Sequence, residues 1–232
     1  MTIKDTVLQN TDLLFHLTDF LDDKSSFRLL NANKHYNTLI NKYPNRYSIK
    51  KVVSSQSDMK YAYKIERYDV DENKPVGELN IPSTVKVLII SNEYSYPIND
   101  DNLPPNVKGL VLKNFNQCVD NLPSWLESLT LGNTFNQPVD NLPSGLKHLV
   151  FGDAFNQSVD KLPSSLESVT FGKSFNKVID KLPLSLRCIV FGEMFNQCVD
   201  ILPLSLESLT FSYWFNLPLL NLSLSVRKLQ FV

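Results

Sequence analysis

The dipeptide Phe-Asn stands at Phe115, Phe135, Phe155, Phe175, Phe195 and Phe215, each copy 20 residues after the one before. Leu-Pro recurs in phase at Leu122, Leu142, Leu162, Leu182 and Leu202. Looser copies begin at Ile81, Leu103 and Leu222, the last with Ser223 in place of proline. A repeat this short cannot close a core of its own. It must bury its apolar face against the next copy, and the fold that does so is a solenoid.

In "LPSWLESLTLGNTFNQPVDN" the apolar positions are Leu122, Leu126, Leu129, Leu131, Phe135 and Val139. Leu129 and Leu131 alternate with Ser128 and Thr130, the period of a half-buried strand. The three-residue step from Leu126 to Leu129 breaks that period and places Glu127 at a corner. Gly132, Gly152, Gly172 and Gly192 follow the strand, where a turn would favour a positive φ. Pro123 and its copies fix φ outside the strand. No window holds a long helix. Each coil is predicted as one short parallel strand and a return path of turns around a leucine and phenylalanine interior.

Columns running along the stack carry the remaining signal. The asparagines after each phenylalanine, Asn116 to Asn216, suit stacked amides that satisfy turn backbone groups. The aspartates Asp120, Asp140, Asp160, Asp180 and Asp200 would stand ~5 Å apart at strand spacing and repel one another. An Asx-type turn offsets that repulsion in one reading, and a calcium column does so in the other. The corner reads Lys108, Glu127, Lys147, Glu167, Arg187, Glu207, Arg227, alternating in sign, and the exposed strand position alternates Val111, Thr130, Val150, Thr170, Val190, Thr210. The true unit is therefore two coils, or 40 residues. Alternating charge opposes a one-coil slip, which would set like charges side by side.

The pattern "LxxLxLG..FN" resembles the FNIP repeat, a divergent relative of the leucine-rich repeat, over Ile81 to Val232. The resemblance implies a parallel β solenoid of about seven to eight coils. Ordinary leucine-rich repeats place asparagine where this chain has Thr134, so Asn136 implies a displaced or remade ladder.

The first 45 residues follow a different pattern. "TDLLFHLTDFLDDKSSFRLLNANKHYNTLI" spaces its apolar residues for three short helices, with Thr11 or Asp12 as an N-cap. From Gln9 to Ile40 it resembles an F-box. The family's leucine pair falls on Leu13 and Leu14, its isoleucine on Leu17, its first-helix end on Phe20, Leu21 and Asp22, and its basic-aromatic stretch on Lys34, His35 and Tyr36. The chain departs from the family at Gln9-Asn10 and Ala32-Asn33. The resemblance implies an adaptor-binding face of Leu13, Leu14, Leu17, Phe20, Leu21 and Tyr36; the plainer reading is a helical cap on the first coil. Residues 46–80 are expected to form an ordered connector, with a strand or short helix near Tyr61, Tyr63 and Ile65 and a loop at "DENKPVG". The whole is a mixed α+β chain: residues 1–45 F-box-like, 46–80 connector, 81–232 solenoid.

Composition narrows the function. Lys+Arg 23 against Asp+Glu 24 gives a net charge of -1, which disfavours nucleic-acid or membrane binding by bulk charge. No apolar run reaches the ~18 residues of a membrane span, and "MTIKDTVLQNTD" lacks a signal-peptide layout. Cys118, Cys188 and Cys198 show no metal or redox spacing, which fits a reducing, cytoplasmic setting. His16, His35 and His148 have no partnered nucleophile or acid in register, so no catalytic residue, metal or cofactor is assigned.

The pairing of an F-box with FNIP repeats resembles an expanded family of amoebae and giant viruses. It implies a substrate receptor in which the F-box docks a Skp-type adaptor and a cullin–RING ligase, in host cytoplasm if viral. A solenoid that binds protein with no ligase role is the alternative. Trp125, His148, Tyr213 and Trp214 are the candidate target contacts, with Tyr213-Trp214 equally suited to cover the last coil. The final strand, about Lys228 to Phe231, is expected to have an open edge and to promote weak end-on self-association.

Overall fold

The computed structural model of the chain describes residues 52–53, 67–70, 75–79, 81, 83, 85–90 and 94–232. The three predicted helices, and with them Leu13, Leu14, Leu17, Phe20, Leu21 and Tyr36, lie outside these residues, as do Tyr61, Tyr63 and Ile65. The chain divides into two units, Met1–Tyr68 and Asp69–Val232. In the first, β1 (Val52–Val53) pairs in parallel with the start of β2 (Arg67–Val70).

The second unit is a parallel β solenoid. Its strands are β3 (Val87–Ile90), β4 (Gly109–Leu112), β5 (Ser128–Leu131), β6 (His148–Val150), β7 (Ser168–Thr170), β8 (Cys188–Val190), β9 (Ser208–Phe211) and β10 (Lys228–Phe231). Each pairs in parallel with the next in chain order. Leu129, Leu149, Val169, Ile189 and Leu209 therefore stand in one buried column. The "DENKPVG" stretch is not wholly loop: a 3-10 turn covers Val76–Glu78, and the buried Val76 N–H donates to Tyr94 Oη at 2.8 Å.

The return path of each coil is turns. In five successive coils a proline carbonyl accepts the leucine N–H three residues on, from Pro123–Leu126 to Pro203–Leu206, at 3.1 to 3.2 Å. The expected corner is real and is held by its backbone. Lys108 O accepts both Glu127 N–H (2.8 Å) and Ser128 N–H (3.0 Å), and the carbonyls of Glu127, Lys147, Glu167, Arg187 and Glu207 repeat this double acceptance in the following coils.

Two columns of phenylalanine fill the interior. Phe135, Phe155, Phe175, Phe195 and Phe215 stack with ring centroids 6.0 to 6.2 Å apart. Phe151, Phe171, Phe191 and Phe211 form a second column at 5.4 to 5.6 Å, which the half-exposed Phe231 continues at 5.8 Å. Within a coil the two rings lie face to face, 3.7 Å apart for Phe151–Phe155 and 3.9 Å for Phe171–Phe175. Truncating such a buried ring to alanine costs ~3–5 kcal/mol, so these columns outweigh any surface contact.

The post-strand glycines serve a purpose other than the one their position suggests. No glycine among the described residues has a positive φ. Instead, a Cβ on Gly132 would lie 1.7 Å from Lys113 O, on Gly172 2.2 Å from Gly152 O, and on Gly192 2.1 Å from Gly172 O. Each glycine lets its coil seat against the backbone of the coil before. Gly172→Ala is therefore expected to destabilise by roughly 1–3 kcal/mol, because the atom it strikes is backbone and cannot swing aside. Gly77→Ala, whose Cβ would meet Asn102 Cβ at an ordinary 3.5 Å, should be near neutral. Urea midpoints of the two variants check this; equal midpoints would exclude the close approach as the reason for glycine.

Candidate protein-interaction surface

With the interior spent on packing, recognition falls to the outward columns. On the strand face, Ser128, His148, Ser168, Cys188 and Ser208 are in register, flanked by the Thr130-to-Thr210 column. His148 heads β6, is exposed, and brings Nδ1 to 2.9 Å from Ser168 Oγ.

The corner column resolves into pairs. Lys147 Nζ meets Glu127 Oε2 at 2.9 Å and Arg187 Nη1 meets Glu207 Oε1 at 2.9 Å. Glu167 lies between the two pairs and acts on Lys147 through charge alone. Continuous alternation is thus a chain of dimers, each spanning one coil-to-coil step. The hydrogen bond from Lys147, reinforced by its charge, holds the Glu127 carboxyl below its ordinary value of 4.5, and raises Lys147 in turn.

The asparagine column does what its spacing suggests. Asn116 Oδ1 accepts Asn136 N–H at 2.9 Å, Asn136 Oδ1 accepts Asn156 N–H at 2.9 Å, and the series runs on to Asn216. Gln137, Gln157 and Gln197 donate to the same Oδ1 atoms from the following coil. A parallel series on the return path has Ser165, Ser185, Ser205 and Ser225 donating to the carbonyls of Leu146, Leu166, Leu186 and Leu206, each at 2.7 Å.

The aspartate column is relieved by a contact that spacing alone does not reveal. Lys161 Nζ lies 2.9 Å from Asp140 Oδ2 and Lys181 Nζ 3.2 Å from Asp160 Oδ2, each cation reaching back one coil. Two of the five aspartates, Asp140 and Asp160, are neutralised in this way. No cluster of three metal-ligating side chains occurs among the described residues. Asp200 accepts the Cys198 thiol at 3.0 Å, and this bond raises the thiol pKa.

The tryptophan and tyrosine candidates fall in two places. Trp125 occupies the place held by serine in later coils and is half-buried, its indole N–H enclosed without a hydrogen-bond partner among the described residues. Lys108 Nζ is 3.5 Å from its carbonyl. Tyr213 and Trp214 are 64% and 62% exposed and pack on one another with centroids 4.4 Å apart. Both rings stay largely in the open. It is the Tyr213 backbone N–H that meets Val232 O, at 2.9 Å, while Leu229 and Phe231 stay exposed.

The Glu127–Lys147 pair makes a pH prediction. A carboxyl held down in the fold adds stability that is complete above its unfolded pKa, and that is lost as pH falls through the lower folded value. The NMR titration midpoint of Glu127 should lie below 4.5 and return toward it in Lys147→Met. An unchanged midpoint in that variant would remove Lys147 as the cause.

The solenoid geometry has counterparts among known proteins. Among solved structures, the chain is similar to CroV588, described as a novel circular LRR protein structure, at 35% identity and a TM-score of 0.62. That match covers 72% of this chain and 27% of CroV588, so this chain spans about a quarter of that protein's length. No curated protein matches the sequence. The model of the FNIP Repeat matches residues 94–134, 135–174 and 175–214, in steps of two coils each. These three consecutive matches take in more than half of the sequence, and the chain belongs to the FNIP repeat family.

Proposed function

We propose that this chain is a protein-interaction adaptor: the solenoid captures a target protein, and the F-box-like segment docks a Skp-type adaptor. It would then serve as the substrate-recognition subunit of a cullin–RING ubiquitin ligase in the cytoplasm, with no catalytic role of its own. One observation carries the capture half. The inward columns hold Leu, Val, Ile and Phe from coil to coil, while outward columns such as Ser128, His148, Ser168, Cys188 and Ser208 change chemistry on an unchanged backbone. A rigid frame with variable display is how solenoids bind partners. The ligase half rests on Leu13, Leu14, Leu17, Phe20, Leu21 and Tyr36 matching the F-box pattern.

The departures at Gln9-Asn10 and Ala32-Asn33 favour a second reading, a binding solenoid with a helical cap and no ligase role. Weak self-association through the exposed Leu229 and Phe231 belongs to either reading. Sedimentation of wild type and Leu229→Lys tests it.

A pull-down of purified Skp-type adaptor by the intact chain separates the two main readings. Wild type should capture the adaptor and Leu17→Asp should lose it, with circular dichroism unchanged. Equal capture by both, or none by either, would leave the plain binding solenoid.

A further inference from the structure

We infer that the return edge of the last three coils docks a protein segment that is both apolar and positively charged. The residue after the turn proline is serine in three coils, Ser124, Ser144 and Ser164, and all three are exposed. In the next three coils the same position is Leu184, Leu204 and Leu224, at 80%, 80% and 103% exposure. The turn itself does not change. Pro163 O to Leu166 N–H is 3.1 Å, and Pro183 O to Leu186 N–H is 3.2 Å. Serine satisfies this turn as well as leucine does, and the leucines bury nothing in the fold. Three leucines in line are the kind of apolar surface that a folded chain leaves open for a partner.

Charge varies along the same edge, where the place 21 residues after Asp120 holds Asn141 and no lysine. Asp140 and Asp160 are each neutralised by the lysine 21 residues on, Lys161 and Lys181. At the equivalent place for Asp180 stands Ile201, itself exposed, and for Asp200 stands Asn221. Neither Asp180 nor Asp200 has a cation within ion-pair distance among the described residues. The edge thus offers a leucine row close in sequence to two carboxylates without an ion pair, Asp180 and Asp200, while the exposed Lys181 is engaged by Asp160. Ser205 and Ser225, donating to Leu186 O and Leu206 O, hold these turns one on the next.

The complement is a segment of apolar side chains with lysine or arginine among them. An anionic bilayer would meet the unpaired carboxylates with like charge. A two-fold contact with a second copy of this patch would set Asp180 and Asp200 against their own counterparts.

This inference rests on the solenoid's capture of protein and not on adaptor docking. The probe is a fluorescent synthetic peptide of alternating leucine and lysine, titrated against the full chain by anisotropy beside leucine/glutamate and serine/lysine peptides. Wild type should bind the leucine/lysine peptide best. The triple variant Leu184→Ser, Leu204→Ser, Leu224→Ser restores the residue the earlier coils carry, and should keep its urea midpoint while losing about tenfold or more in affinity. Asp180→Asn with Asp200→Asn should weaken binding several-fold and flatten its salt dependence. Full-strength binding by the triple variant, equal binding of leucine/glutamate, or no binding by wild type overturns the assignment. So does a triple-variant loss seen only with phosphatidylserine vesicles, or only as lost self-association in sedimentation. Adaptor capture depends on Leu17 and not on these leucines, so failure in either assay leaves the other reading standing.

Discussion

Face-to-face contact between phenylalanine rings sets the dimensions to which the rest of the solenoid conforms. Within a coil the two rings stack at 3.7 to 4.1 Å, and between coils each column steps by 5.4 to 6.2 Å. Rings packed this tightly tolerate little displacement of the backbone that carries them. The strand starts keep a constant 20-residue step from Ser128 to Lys228. In four coils a glycine follows the strand. Coils drawn this close bring backbone against backbone at Gly132, Gly152, Gly172 and Gly192, where no Cβ fits.

The polar columns finish what the rings begin. Turns packed at this spacing leave N–H and C=O groups facing the adjacent coil, and leaving them unmet costs ~1–3 kcal/mol apiece. Asparagine Oδ1 and serine Oγ meet them in two series on opposite stretches of the coil. Where serine gives way, at Trp125 and Gly145, the series lapses, and a Cβ on Gly145 would come within 2.3 Å of Ser124 O. Exposed ion pairs such as Lys173–Glu193 add at most ~1 kcal/mol each and act on register more than on stability.

Much of this is legible because it is periodic. The strand, the inward leucines, the asparagine column and the two-coil unit each leave a mark every 20 or 40 residues, and a mark that recurs can be read without coordinates. The glycines show the limit. Their role depends on which backbone atom of the neighbouring coil lies opposite, and a turn reading reaches for φ where the answer is contact. Likewise Lys161 and Asp140 sit 21 residues apart, one off the repeat, so comparing positions in phase cannot pair them. The candidate contacts divide for the same reason. His148 and Tyr213-Trp214 are exposed, as single-residue departures suggest, whereas Trp125 turns its indole inward. The leucine row is hidden in the sequence although Leu184, Leu204 and Leu224 are themselves in phase, because leucine reads as interior until exposure is known.

The ladders also have a direction. Asn136 N–H donates to Asn116, Ser165 to Leu146, Glu127 N–H to Lys108 and Lys161 to Asp140, and in each case the donor is the later residue. Every acceptor in these series therefore exists in the chain before its donor does, and a coil leaving the ribosome meets those oxygens already in place. The strand bonds from Phe151, Phe171 and Phe191 N–H to Thr170, Val190 and Thr210 O run the other way, so each coil also carries donors that wait for the one made next.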